Sequence, residues 1–329
     1  MRNLANSTDM KAETTSKELA SLYQKRRKSK NQLAKRLMGF LTLLAVMLVP
    51  LLFVALFVRA LPILKTIPLG ELLLSKNWHP TKNAFGFYPF IIGTLWVTGL
   101  AMLLSVPPSV FTAIYLAEYS PTRIRNTIKS FIDILAGIPS VVFGVWGTLT
   151  IVPFIRNYLG PAIDKWLGFL PLFQNNNPSG YSLMAGGIVL AVMVFPIIIA
   201  LAEEVISAVP QGLREASLTL GATHWQTTRR VVLRRAWLGV VAAVMLGFSR
   251  AFGETMAVMM VAGNVPLIPR SIFDPVYPLT ALIANNYGEM MSIPLYDSAL
   301  LTGALILLII ILVFNLFSRL VLVQIVKLD

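Results

Sequence analysis

Residues 203–235 read EEVISAVPQGLREASLTLGATHWQTTRRVVLRR, a polar, basic and turn-marked island in a chain that is otherwise apolar. Two helical pieces are legible in it. Pro210 suits a first helical position, where its missing N–H costs nothing. Leu213, Ala216, Ser217 and Leu220 follow at helical spacing and share one face. Gly221 stands where that helix should stop, because glycine enters the left-handed cap cheaply. Thr223 followed by Gln226 is a capping-box pattern that starts a second helix. The spacing predicts a helix–glycine–helix elbow.

On either side of the elbow the chain is built for lipid. It is 56% hydrophobic and 13% charged, with a mean hydropathy of +0.72, whereas a soluble domain holds about 25% charged residues. The fold class is therefore an all-α polytopic membrane protein. Six spans are expected, at 37–58, 88–116, 130–154, 183–201, 237–261 and 299–323. The first has 22 residues, which reach about 33 Å and cover the roughly 30 Å hydrocarbon layer. Pro107 and Pro108 predict a kink in the second. Between the spans, 59–87, 118–129, 155–180 and 262–298 read as connections. Residues 1–36 read as a flexible basic tail near anionic headgroups. They lack the apolar core and cleavage site of a signal peptide.

Lys and Arg set the expected orientation. The tail holds 10, the 118–129 connection 3, the elbow 5 and the carboxyl end 2. The opposite connections hold Arg59, Lys65, Lys76, Lys82, Arg156, Lys165 and Arg270. Both termini and the elbow are expected in the cytoplasm, and the net charge of +13 follows largely from that bias. With no cysteine, disulfides and thiolate metal sites are excluded. His79 and His224 are too isolated to suggest a metal site, and no catalytic cluster is legible. Trp78, Trp225 and Trp237 read as interface anchors.

Three functions fit a polar elbow between spans. DNA reading by a helix–turn–helix fails for lack of room beside the membrane, so no nucleic acid is expected. A solvated loop leaves the apolar face of 213–220 unexplained. A helix that docks in a groove of a cytoplasmic partner accounts for that face. Glu215-Ala216-Ser217, Gly221 and Val231-Val232-Leu233 resemble the EAA signature of ABC importer permeases, E-A-A, three residues, G, nine residues, I-x-L-P. Ser217 stands in place of the second alanine and Arg234 in place of the proline. The resemblance implies a type I ABC importer permease fold over 88–323 and a coupling loop at 203–235. It makes Glu215, Ala216, Ser217, Leu220 and Gly221 the ATPase-coupling surface. The chain has no G-x-x-x-x-G-K-[ST] phosphate cradle, so ATP and Mg belong to a partner ATPase and no cofactor to this chain.

The fifth expected span carries Arg250 and Glu254, which at i and i+4 share a helix face. Each costs about 2.5–3.5 kcal/mol at a helix centre. The pair is either a neutralised structural pair or a functional site. The functional reading is favoured, because one carboxylate cannot use all five guanidinium donors. A guanidinium fork suits oxyanions. A carboxylate beside it favours a protonated oxyanion such as hydrogen phosphate over sulfate.

Residues 250–258, RAFGETMAV, are similar to the R-A-x-G-E-T motif of phosphate importer permeases of the Pst type. IPSVVFGVWG at 138–147 resembles the corresponding stretch of the PstC-type subunit, and Met256 and Trp146 set it apart from the PstA type. The resemblance implies that Arg250 and Glu254 are required for phosphate passage and that Thr255 lines the path. It also implies a PstA-like second permease, an ATPase dimer and an extracytoplasmic phosphate-binding protein as partners, in a bacterial inner membrane. The chain itself is then a transport subunit and no enzyme. The alternatives are an importer for another oxyanion or small solute, and an ion-coupled secondary transporter. Gly137, Pro139 and Ser140 are expected to permit close helix packing, and Asp133 to be solvated or paired with a nearby arginine.

Overall fold

A computed structural model describes residues 2–289, 293 and 295–326, with side chains described from 30 to 320. The chain divides into two compact units, 1–58 and 59–329. Helix α1 (Arg2–Thr66) begins in the first unit and ends in the second. The tail expected to be flexible is helical from Arg2.

The second unit opens with the end of α1, α2 (Leu69–Leu74) and a hairpin of β1 (Trp78–His79) and β2 (Ala84–Phe85). Next come α3 (Tyr88–Ile114), extended by a π turn to Tyr119, and α4 (Thr122–Ala136). Helices α5 (Ser140–Trp146), α6 (Val152–Phe154) and α7 (Gly160–Leu167) are joined end to end by π turns. The remaining helices are α8 (Leu183–Ser207), α9 (Gln211–Thr219), α10 (His224–Thr227), α11 (Leu233–Phe252), α12 (Met256–Val261), α13 (Leu279–Asn286) and α14 (Tyr296–Val326). Among the described residues six helical segments are long and apolar enough to cross a membrane. That agrees with the six spans and the all-α class expected from sequence.

Helix α8 is the axis of the second unit. Its side chains Val189, Val194, Ile198, Ile199, Ala202 and Ile206 are buried. Ser182 caps its start by accepting a hydrogen bond from the Ala185 N–H. Small residues bring neighbours close to it. A Cβ on Gly239 of α11 would lie 2.1 Å from the Val205 side chain, and one on Gly247 2.6 Å from Ile198. In a bilayer, where lipid is as apolar as leucine, such close backbone approach supplies the packing energy.

Several sequence boundaries are corrected. The 118–129 connection is mostly helix, because α4 starts at Thr122 directly after Pro121. The third span is consequently interrupted at 137–139, and its helix continues to Leu167 where 155–180 was expected to be a loop. Gly144, not Gly137, makes the close packing contact: its Cβ would sit 2.6 Å from the Met260 sulfur and 3.2 Å from Ala257 Cα. The fifth span starts at His224 rather than 237 and stops at Phe252. The 262–298 connection is in good part a packed element. Leu183 and Met184 N–H groups donate to the Asp274 and Ile272 carbonyls, Val276 pairs with Ala262 and Asn264, and Phe273 is buried. Trp78 sits in a ring cluster with Phe85, Phe87, Phe90 and Tyr296.

Candidate functional site

The elbow forms as the residues dictate, with one shift. Pro210 is the cap residue before α9 (φ −55°, ψ 135°), so the helix starts at Gln211. Gly221 has φ +83°, and the Gly221 and Ala222 N–H groups close the helix end on the Leu218 and Ser217 carbonyls. The capping box is complete. Thr223 Oγ1 accepts from the Gln226 N–H at 3.3 Å, and Gln226 Oε1 accepts from the Thr223 N–H at 2.9 Å. Ser217 bridges the two limbs, its hydroxyl 2.9 Å from that of Thr227. Glu215, Ala216 and Gly221 are exposed, and so are Leu213, Trp225 and, at 88%, Leu220. The helix runs on through Arg234 within the first turn of α11.

Gly221 faces open space, since a Cβ there would meet nothing within 4 Å. A side chain at this position therefore acts only through the backbone, where the left-handed conformation costs about 1–2 kcal/mol for a residue with a Cβ and more for a β-branched one. Gly221→Val is expected to weaken binding of whatever protein the elbow holds, as measured by co-purification. Gly221→Asn should be nearly silent.

Sequence reasoning missed what fastens the elbow. Arg214 donates from Nε and Nη2 to the Glu118 carboxylate at 3.1 and 2.7 Å. It also donates to the Ile206 carbonyl at 3.0 Å and to the Val209 carbonyl. The Glu118 side chain is only 3% exposed. One guanidinium thus ties α9 to the end of α3 and to two carbonyls at the exit of α8, of which Ile206 also accepts from the Val209 N–H. A second buried acid, Glu203, accepts from Lys129 at 2.9 Å and from Ser207 at 3.0 Å, and pairs with Arg125. It fastens α4 to α8. These partners lie 74 to 96 residues apart in the chain. Their one local signal was acidic residues at the end of an apolar run.

The second candidate site lies where α11 breaks. Arg250 is in the last turn of α11, Gly253 caps it, and α12 starts at Met256. Arg250 and Glu254 therefore do not share a helix face, contrary to the i, i+4 reading. Glycine at 253 lets the helix end, and the Glu254 carboxylate turns to cap α12, accepting from the Ala257 N–H at 3.2 Å. The Glu254 carbonyl accepts from Thr280 Oγ1 at 2.9 Å, and Glu254 borders a small cavity with Thr94, Thr98 and Thr280. Thr255 is half-buried, with its hydroxyl 3.4 Å from the Gly253 carbonyl. Arg250 is exposed, and among the described residues it has no hydrogen-bond or ion-pair partner. Its depth follows from packing. Gly247 faces Ile198 and Val194, well inside the apolar run 183–202 of α8, and Arg250 is nearly one turn further from the elbow. A guanidinium at that depth with no partner among the described residues has its donors open to an oxyanion.

A family profile described as the binding-protein-dependent transport system inner membrane component matches residues 109–326. The chain belongs to this family. It is a multi-pass membrane protein, a transport component rather than an enzyme. Among the permease's relatives, the phosphate transport system permease protein PstC of Pasteurella multocida is 38% identical over 78% of this chain and 80% of its own. PstC of Haemophilus influenzae is 37% identical over 78% and 81%. The probable ABC transporter permease protein YqgH of Bacillus subtilis is 37% identical over 76% of each chain. The fold is shared with the methionine ABC transporter MetNI in an inward-facing crystal form (TM-score 0.53, 20% identical, covering 70% of this permease and 92% of that chain). The matched region contains both the elbow and the break after Arg250.

Proposed function

We propose that this permease is the PstC-type membrane subunit of an ATP-driven importer of inorganic phosphate. The observation that carries this reading is Arg250, without a partner among the described residues at membrane depth, four residues from a carboxylate held in place by a helix N-terminus. It stands in a chain 38% identical to a phosphate transport permease. Arg250 offers the fork to phosphate oxygens, and Glu254, fixed through Ala257, accepts from the proton that hydrogen phosphate carries. Thr255, next to Glu254, lines the path. A PstA-like second permease encloses the other side of the pathway, and an extracytoplasmic phosphate-binding protein delivers substrate. Two ATPase subunits, carrying the ATP and Mg, dock on Glu215, Ala216, Ser217, Leu220 and Gly221. Both termini lie in the cytoplasm of a bacterial cell, with the spans in its inner membrane. Closure of the ATPases pulls on α9, and Arg214 passes that pull to α3 and α8.

Proteoliposomes separate this reading from a secondary transporter. The complete complex should take up phosphate only with ATP on the elbow side, and the permease alone should take up none. Gradient-driven uptake by this chain alone would overturn the proposal.

A further inference from the structure

Helix α4 carries three stripes. One faces α8 and holds Arg125, Ile128, Lys129 and Ile132, with the two cations drawn to Glu203. The second is apolar and exposed: Ile124, Phe131, Ile134 and Leu135. The third is polar and exposed: Arg123, Asn126, Ser130 and Asp133, which recur at three- and four-residue steps. Asp133 has no side-chain partner among the described residues. Of the two alternatives expected for it, pairing with a nearby arginine is not met, because Arg125 lies on the α8 stripe, and a solvated carboxylate is the one left open.

The register between α4 and α8 fixes the depth of the polar stripe. Arg125 meets Ser207 and Lys129 meets Glu203, so the helices run antiparallel at equal steps. Ile132 shares a buried cluster with Ile199 and Ala202. Asp133 consequently stands level with residue 199. That is four residues, or about 6 Å, inside the apolar run of α8 that ends before Glu203. A carboxylate on so short a stem cannot reach the headgroups from there, as a longer Lys or Arg side chain can. Lipid is therefore excluded as the neighbour of this stripe. A dry protein contact would need a cation for Asp133; on this helix Arg125 and Lys129 are turned to Glu203, and Arg123 lies about 15 Å away along the axis.

We propose that α4 lines a water-filled, elbow-side half of the transport pathway. Asn126, Ser130 and Asp133 border the water, and Ile124, Phe131 and Ile134 face lipid. The inference uses the family membership and does not depend on phosphate being the cargo.

The chain has no cysteine, so single cysteines report directly. Asn126→Cys, Ser130→Cys, Asp133→Cys, Phe131→Cys and Ile134→Cys would each be expressed in the assembled transporter. Each would be treated in inside-out vesicles with a charged, membrane-impermeant methanethiosulfonate. Only the thiolate reacts, and apolar surroundings suppress it, so positions 126, 130 and 133 should label at least about tenfold faster than 131 and 134. Silence at 133, or labelling at 131 and 134 as fast as at 133, overturns the assignment. Failure of phosphate to be the substrate would leave the labelling pattern unchanged.

Discussion

Arg250→Ala is expected to reduce ATP-driven phosphate uptake about a hundredfold or more while the transporter still assembles. A guanidinium gripping an anion in two charge-assisted hydrogen bonds contributes about 1.5–3 kcal/mol per bond, and about 1.4 kcal/mol is a factor of ten. The structure separates this from the structural-pair reading. Arg250 makes no ion pair with Glu254, and the carboxylate is engaged by Ala257 instead. Removing the arginine thus orphans no group among the described residues, and co-purification of the other subunits should be unchanged. Arg250→Lys keeps the charge and loses the fork, so its uptake should fall between the two. Loss of assembly in Arg250→Ala would restore the structural reading.

Arg214→Ala is expected to uncouple ATP hydrolysis from transport. It strands the buried Glu118 carboxylate and takes a donor from the Val209 and Ile206 carbonyls, the latter keeping the Val209 N–H. Breaking a buried pair by removing one partner costs about 3–5 kcal/mol, here concentrated on the attachment of α9. The folded spans should persist on their apolar clusters, to which Arg214 does not contribute, but the elbow should lose its fixed position. The measurement is the number of phosphates transported per ATP hydrolysed, together with ATPase co-purification. Glu118→Gln added to Arg214→Ala removes the stranded charge and should recover expression more than coupling. Equal coupling ratios in wild type and Arg214→Ala would show that α9 is held by other contacts.

The readings that relied on local chemistry held. Gly221 takes the left-handed cap, Thr223 and Gln226 close a capping box, and the apolar face of 213–220 stands exposed as a docking surface requires. Each depends on residues within a few positions of one another, where backbone sterics and side-chain reach decide the outcome. The readings that failed needed tertiary information. Helical spacing placed Arg250 and Glu254 on one face, but Gly253 offered an exit that the capping of α12 by Glu254 stabilises. The 262–298 segment read as a connection because prolines break periodicity. Its backbone is satisfied instead by Leu183 and Met184, about ninety residues earlier. The Arg214–Glu118 and Lys129–Glu203 pairs were invisible because nothing in a linear sequence joins the ends of two spans. The basic residues of 118–129 were read only as an orientation signal, yet Arg125 and Lys129 also neutralise a buried carboxylate.

The central claim, that this permease carries phosphate across the membrane under the drive of ATPases docked on its elbow, is tested most directly by substrate-stimulated ATPase activity. The complex would be reconstituted with its extracytoplasmic binding protein and offered phosphate, sulfate or molybdate. Stimulation by phosphate alone, lost in Arg250→Ala, is the predicted result. Stimulation by sulfate and not by phosphate would contradict it.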